Sequence, residues 1–306
     1  MSFDPIISGS LSFLVVLILM ALNVPIGISM LIVGFTGFAL ITGFEQALFV
    51  LGTAPFEAVS KYTLSVLPLF VLMGNLANRA NLSRNLYDAA YAVVGHYKGG
   101  LAMSTVGACA GFGMICGSSI ATAATMSQMA GPEMKRHGYS DALISGSVAS
   151  GGTLGIIIPP SVILIIYAYL TEQSIQQLFF AALIPGLIAV VLYMIAIRVY
   201  LLIYPDQGGH GEKMTTKDRI SALTKVFPIF LIFAIIMGGL YLGFFTATES
   251  AAVGVILVIL FIFLRGELTI ELLKNSIWDT IKTVGALYLI VIGASVFNFL
   301  ITVTQL

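Results

Sequence analysis

Two clusters in the middle of this chain have residue types and spacing that could handle charge inside an otherwise apolar stretch. The first is Cys116-Gly117-Ser118-Ser119, followed by Thr122 and Thr125. The second is Gly151-Gly152-Thr153-Leu154-Gly155, followed after three isoleucines by Pro159-Pro160-Ser161. Three chemistries are open to such groups. A serine nucleophile would need a base within hydrogen-bond reach. No His or Lys lies inside any apolar segment and the Gly-x-Ser-x-Gly elbow is absent, so an enzyme is not expected. Freed backbone carbonyls and half-helix C-terminal ends present partial negative charge to a hard cation. A half-helix N-terminus presents partial positive charge to a carboxylate, and Ser119 and Thr122 start the helix that returns from the first cluster. Two plainer readings stand beside these. Ser118, Ser119, Thr122 and Thr125 also suit close helix packing, and Ser119 also suits a helix N-cap. Cys109 and Cys116 read as buried small thiols, with neither zinc-type spacing nor a disulfide framework.

The elements that must position these clusters are membrane helices. With 58% hydrophobic and 9% charged residues and a mean hydropathy of +1.03, the expected class is an all-α polytopic membrane protein in a lipid bilayer. The formal net charge is zero, which argues against a nucleic-acid partner. The start, MSFDPIISGS, has no basic n-region and no small-residue cleavage site, so the first apolar run reads as a retained span. Gly99 to Gly131 is about 33 residues, too long for one crossing and too short for two. A re-entrant hairpin over 99–131, with the first cluster at its tip, resolves this. Lys98 before it and Lys135-Arg136 after it place both ends on the cytoplasmic side. The segment 141–172 then reads as a helix broken near mid-membrane by its glycines and two prolines. Backbone freed at that depth must be buried in protein or line a cavity.

In chain order, residues 1–98 form a first scaffold part starting outside. It has spans at Leu11–Leu22 and Pro25–Ile41, an amphipathic arm at 45–61, a third span at Tyr62–Leu76, and a polar link from Asn78 to Lys98. The transport part, 99–172, follows. Residues 173–225 form a connecting span and a loop whose Lys213, Lys217, Arg219 and Lys225 mark the cytoplasm. Residues 226–306 form a second scaffold part, with an arm at 265–282 and a span beginning at Gly285. Its order of spans, arm and span repeats that of the first seventy residues from the opposite side, the pattern of an inverted repeat. On that symmetry a second hairpin and broken helix are absent, and the chain reads as a fragment. Glu249, the one acid between two apolar spans, reads as a helix cap near an external turn. His96, His137 and His210 read as solvated, and Arg198 as snorkelling from a span end.

Six stretches carry a family resemblance: LPLFVLMGNLANRANL (67–82), GHYKGGLA (95–102), CGSSIATAATM (116–126), GPEMKRHGYSDAL (131–143), GGTLGIIIPPSVILIIYA (151–168) and GGLYLGFFTATESAAVG (238–254). Together they resemble the large membrane subunit of the tripartite ATP-independent periplasmic (TRAP) transporters. The resemblance implies an elevator-type, sodium-coupled importer of organic anions such as dicarboxylates or sialic acids in the bacterial inner membrane. It also implies a small four-span membrane subunit and a periplasmic substrate-binding protein as partners, with sodium as coupling ion and no other cofactor.

Carried over residue by residue, the resemblance puts sodium ligands at Cys116, Ser118, Gly155, Ile158 and Pro160, mostly through carbonyls. The family usually has Ser where this chain has Cys116; a carbonyl ligand survives that change and a hydroxyl ligand does not. Ser119, Thr122, Thr153, Pro159 and Ser161 are the candidate substrate contacts. A sodium-coupled carrier of another inverted-repeat family and an inactive scaffold fragment are the alternative readings.

Overall fold

The computed structural model describes residues 5–305, with side chains from residue 7. The expected outer N-terminus and the last scaffold residue fall on residues 1–4 and 306, outside the described residues. The described chain forms α1 (Pro5–Ala21), α2 (Ile26–Thr42), α3 (Phe44–Ser60), α4 (Val66–Arg79), α5 (Leu82–Val94), α6 (Gly100–Cys116) and α7 (Ser119–Arg136). It continues with α8 (Asp141–Ile157), α9 (Val162–Leu170), α10 (Ile175–Ile203), α11 (Thr216–Tyr241), α12 (Ala247–Leu264) and α13 (Ile270–Thr304). In lipid a helix satisfies its own backbone, which is what so apolar a sequence requires. Each of α10 to α13 is long and apolar enough to cross a membrane, and α8 with α9 makes a further pair bent by 46°. The protein is an all-helical, multi-pass membrane protein.

Two compact units are present, Met1–Leu64 with Ile281–Leu306, and Ser65–Thr280. In the smaller, α1 packs on α2 and α2 on α3. Val16, Val33, Phe38, Val50, Val296, Phe297 and Leu300 form its core. Small residues let α2 approach the later part of α13: a Cβ added at Gly34 would lie 2.8 Å from Phe297 Cα.

The larger unit is built around α6, which is buried along most of its length and packs against α4, α5, α7, α8 and α10. Its glycines and alanines make this possible, since a helix of small side chains can be surrounded closely on all sides. The connection after α10 straps one end of the unit. The Gly209 carbonyl accepts from Gly99 N–H at 3.1 Å and from the Tyr139 hydroxyl at 3.0 Å. Gly211 N–H donates to the Gly95 carbonyl at 2.9 Å.

Several elements differ from the sequence reading, each for a local reason. The polar link from Asn78 to Lys98 is largely helix α5, which buries Leu82, Leu86, Tyr87, Ala89 and Ala92 while exposing Arg84. Its apolar residues recur at helical spacing and cover α6. The returning helix α7 runs through Pro132 to Arg136, past the expected end at Gly131. Helix α11 starts at Thr216, ten residues before the expected Val226, because the Thr215 hydroxyl accepts from Asp218 N–H at 3.2 Å and caps it. The arm at 265–282 and the span from Gly285 merge into the single helix α13, where no proline or cap intervenes. Between α3 and α4, by contrast, Lys61 is extended and Tyr62–Ser65 forms a 3-10 turn.

Glu249 closes a capping box. Its carboxylate accepts from Thr246 N–H at 2.8 Å and its own N–H donates to the Thr246 hydroxyl at 3.3 Å. His210 is exposed, whereas His96 and His137 are half-buried rather than solvated. His96 Nδ1 lies 3.3 Å from Arg219 Nη2 and its ring lies 4.0 Å from that of Tyr97, tilted by 37°, and His137 Nδ1 lies 2.9 Å from the Glu133 carbonyl. Arg198, exposed near its span end, donates to the Lys98 carbonyl at 3.3 Å.

Candidate functional site

Four half-helix ends converge inside the larger unit: the C-termini of α6 and α8 and the N-termini of α7 and α9. The turn from α6 to α7 is tight because Gly117 adopts a left-handed conformation (φ +61°) and returns its N–H to the Gly113 carbonyl at 3.0 Å. Ser118 then caps α7, its hydroxyl accepting from Ala121 N–H at 3.3 Å. The cap is therefore Ser118, with half-buried Ser119 as the first helical residue. Ser118→Ala is expected to lower unfolding stability by about 1 kcal/mol, with Ser119→Ala close to neutral, in chemical denaturation of the detergent-solubilised protein.

The break between α8 and α9 is narrower than the sequence implied. Gly151, Gly152 and Gly155 are helical, and only Ile158-Pro159-Pro160-Ser161 leaves the helix. These glycines serve close approach instead of unwinding. A Cβ at Gly151 would meet Cys109 Sγ at 2.8 Å, one at Gly152 would meet Ala123 Cβ at 2.7 Å, and one at Gly155 would meet the Ser118 carbonyl oxygen at 3.0 Å. Ser161 restarts the chain as cap of α9, accepting from Leu164 N–H at 3.4 Å.

The prolines decide the electrostatics. Pro159 and Pro160 carry no N–H, so the helical donors that would reach the Gly155 and Ile156 carbonyls do not exist. Those two oxygens end α8 with partial negative charge, as do the last carbonyls of α6 near Cys116. The hairpin tip holds this break directly: Val162 N–H donates to the Gly117 carbonyl at 3.3 Å, and a Cβ at Gly117 would lie 2.7 Å from the Pro160 carbonyl oxygen. Carbonyl ends suited to a hard cation thus sit beside the amide ends of α7 and α9, which suit an anion.

Cys116, Ser118, Gly155 and Pro160 are brought together by these contacts. Buried Ile158 forms the C-cap of α8, and buried Pro159 follows it in the break. The Ser118 carbonyl accepts from both Thr122 N–H (3.1 Å) and the Thr122 hydroxyl (2.7 Å). Thr122 is thus committed to the turn. Thr153 is not at the tip: it is exposed and lies 3.1 Å from the Tyr193 hydroxyl on α10. Thr125 donates to Asn78 Oδ1 at 3.3 Å.

Sequence reasoning missed three participants. Ile156 was legible, because a proline at one position removes the donor for the carbonyl four residues earlier. Gly113 and Gly74 carried no such signal; they matter only because a Cβ on either would lie 2.8 Å from the Cα of Gly155 or Cys116, respectively.

A helical hairpin whose tip is clasped by a proline-broken helix, within a multi-pass helical protein, is the architecture that fold and site define. The chain belongs to the family described as "Tripartite ATP-independent periplasmic transporter, DctM component", whose model matches residues 13–306. It is 34% identical over 252 residues to the C4-dicarboxylate TRAP transporter large permease protein DctM of Pseudomonas aeruginosa, covering 82% of this chain and 58% of that protein. It is 28% identical over 303 residues to the ectoine/5-hydroxyectoine TRAP transporter large permease protein UehC of Ruegeria pomeroyi, covering 96% and 68%. It is 29% identical over 302 residues to the sialic acid TRAP transporter permease protein SiaT of Haemophilus influenzae, covering 96% and 47%. The chain thus spans about half to two thirds of the length of these relatives.

Proposed function

We propose that this chain supplies the permease part of a sodium-coupled secondary transporter in the bacterial inner membrane, importing an organic anion of the carboxylate class. The observation that carries the reading is the convergence of two carbonyl ends and two amide ends at one clasped break. The α6 and α8 ends, through carbonyls at Cys116, Gly155 and Ile156, hold sodium; the α7 and α9 ends, beginning at Ser119 and Val162, face the carboxylate. Ser118, Ile158 and Pro160 complete the proposed cation site; Pro159 and Ser161 frame the anion, and Thr122 holds the turn beside it. The names of the relatives, which span C4-dicarboxylate, ectoine and sialic acid transport, support the TRAP setting. A small four-span membrane subunit and a periplasmic binding protein that delivers the anion are the proposed partners. Residues 99–172 act as the moving part, against a scaffold drawn from 1–98 and 226–306, and the two halves of that scaffold form an inverted repeat.

The test is uptake of radiolabelled C4-dicarboxylates and sialic acid into proteoliposomes containing the chain and both partners, with sodium or choline outside. Sodium-dependent uptake of a carboxylate is the expected result. Equal uptake in choline refutes the coupling. A direct readout accompanies it: sodium, and not potassium, should raise the melting temperature of the purified chain, by about 2.7 kcal/mol of added stability at a hundred times the dissociation constant.

A further inference from the structure

A cavity with charged lining lies where α5, α11 and α12 meet, and none of its lining residues belongs to the hairpin tip or the break. It encloses about 290 Å³ and is lined by Asn85, Lys225, Pro228, Phe261 and Arg265. Helix α11 packs against both α5 and α12, so the cavity is a cleft between two apolar spans to which α5 adds Asn85. Its polar groups are a cation from each span and one amide. Its remaining walls are apolar. Lys225 is exposed, and Arg265 lies over the Phe261 ring, 5.5 Å from the centroid, while pairing with Glu267 at 2.8 Å. The carboxyls near this cleft are Glu267 and, within electrostatic reach of Lys225, Asp88, which also faces Arg84.

The position of the cleft along the spans matters as much as its charge. Lys225 and Arg265 lie at the end of α11 and α12 that also carries Lys217 and Arg219, shortly after Lys213, the basic end that the positive-inside rule assigns to the cytoplasm. The same two helices expose Phe227, Phe230, Leu231, Ile256, Leu260 and Phe263. Two cations and an amide near the basic end of two apolar spans, with exposed apolar residues farther along the same helices, match one ligand chemistry. That chemistry is a phosphodiester anion carrying acyl chains. A soluble anion would use the cations alone, and a neutral lipid the apolar walls alone.

We infer that Lys225, Arg265 and Asn85 form a binding site for the phosphate of an anionic phospholipid of the cytoplasmic leaflet, with its acyl chains lying along α11 and α12. The inference is independent of what the hairpin tip carries.

The experiment uses the full chain purified in a mild zwitterionic detergent. Its melting temperature and lipid binding by native mass spectrometry are followed as phosphatidylglycerol, phosphatidylcholine or inorganic phosphate is added. Phosphatidylglycerol should bind and raise the melting temperature, and neither phosphatidylcholine nor inorganic phosphate should match it. The double variant Lys225→Gln/Arg265→Gln should weaken apparent phosphatidylglycerol affinity on the order of ten-fold. A control pair, Lys213→Gln/Lys217→Gln, removes the same charge outside the cavity and should leave that affinity within about two-fold of the parent. Equal binding of phosphatidylcholine overturns the inference, as does an equal loss in the control pair. Stabilisation by inorganic phosphate equal to that by the lipid overturns it in favour of a free-anion site. Should the double variant not fold, the single variant Lys225→Gln and competition by inorganic phosphate decide the matter by the same criteria.

Discussion

Replacing Gly155 by Val is expected to abolish sodium-dependent uptake and to destabilise the larger unit by about 1–3 kcal/mol, the range for forcing extra atoms into a packed interior. The reason is local. A Cβ at this position would meet Thr122 Oγ1 at 2.9 Å and the Ser118 carbonyl oxygen at 3.0 Å. Both atoms belong to the hydrogen-bonded turn that starts α7, so neither can give way as the far end of a flexible side chain would. The hairpin tip must then move off α8, separating the carbonyl ends of α6 and α8 that make the proposed cation site. Thermal unfolding and proteoliposome uptake check the two parts. Gly146 provides the comparison on the same helix, since a Cβ there meets nothing within 4 Å. Gly146→Val should retain uptake. If Gly155→Val melts and transports like the parent, the clasp between tip and break has no functional role.

The double variant Pro159→Ala/Pro160→Ala tests the electrostatics rather than the packing. It restores two backbone N–H groups at the spacing that reaches the Gly155 and Ile156 carbonyls. Helix α8 is then free to continue, and the oxygens that end it acquire donors. Alanine is also the stronger helix former by about 3 kcal/mol per proline replaced in a helix interior. The expected outcome is unchanged or raised thermal stability together with loss of the sodium-induced increase in melting temperature, and a fall in sodium-dependent uptake of on the order of 100-fold if each lost carbonyl ligand removes about 1.4 kcal/mol. Higher stability with lower ion response separates this variant from simple damage, which lowers both. A double variant that retains the full sodium response would mean that the freed carbonyls of α8 are not ligands.

Much of this architecture is written in local chemistry. The Gly99–Gly131 stretch has the length of neither one span nor two, and the structure places a two-helix turn at Gly117-Ser118 within it. Pro159-Pro160 cannot be accommodated in a helix interior without losing donors, and the chain leaves the helix there. Thr246 with Glu249 three residues on is a capping signature, and α12 begins at that point.

Other features were not legible, because the same residue type serves opposite purposes. Glycine favours unwinding as much as it favours close packing, and Gly151, Gly152 and Gly155 turned out to be helical. What separates the two uses is the neighbour across the interface: Cys109, Ala123 and Ser118 stand where side chains would be. Thr153 looked like part of the break, yet it faces Tyr193 on α10. Polar residues from Asn78 to Lys98 read as a link until burial by α6 selected the apolar face of α5.

By itself, then, the sequence determined the class of protein, the family stretches, the turn at Gly117-Ser118 and the proline break after α8. Each follows from how many consecutive apolar residues lipid requires and from which residues cannot donate a hydrogen bond. Only the tertiary structure decided which glycines pack closely instead of unwinding and which threonine points elsewhere. Those outcomes depend on contacts between residues tens of positions apart, such as Gly117 with Val162 and Gly113 with Gly155, and local periodicity and propensity carry no information about such pairs.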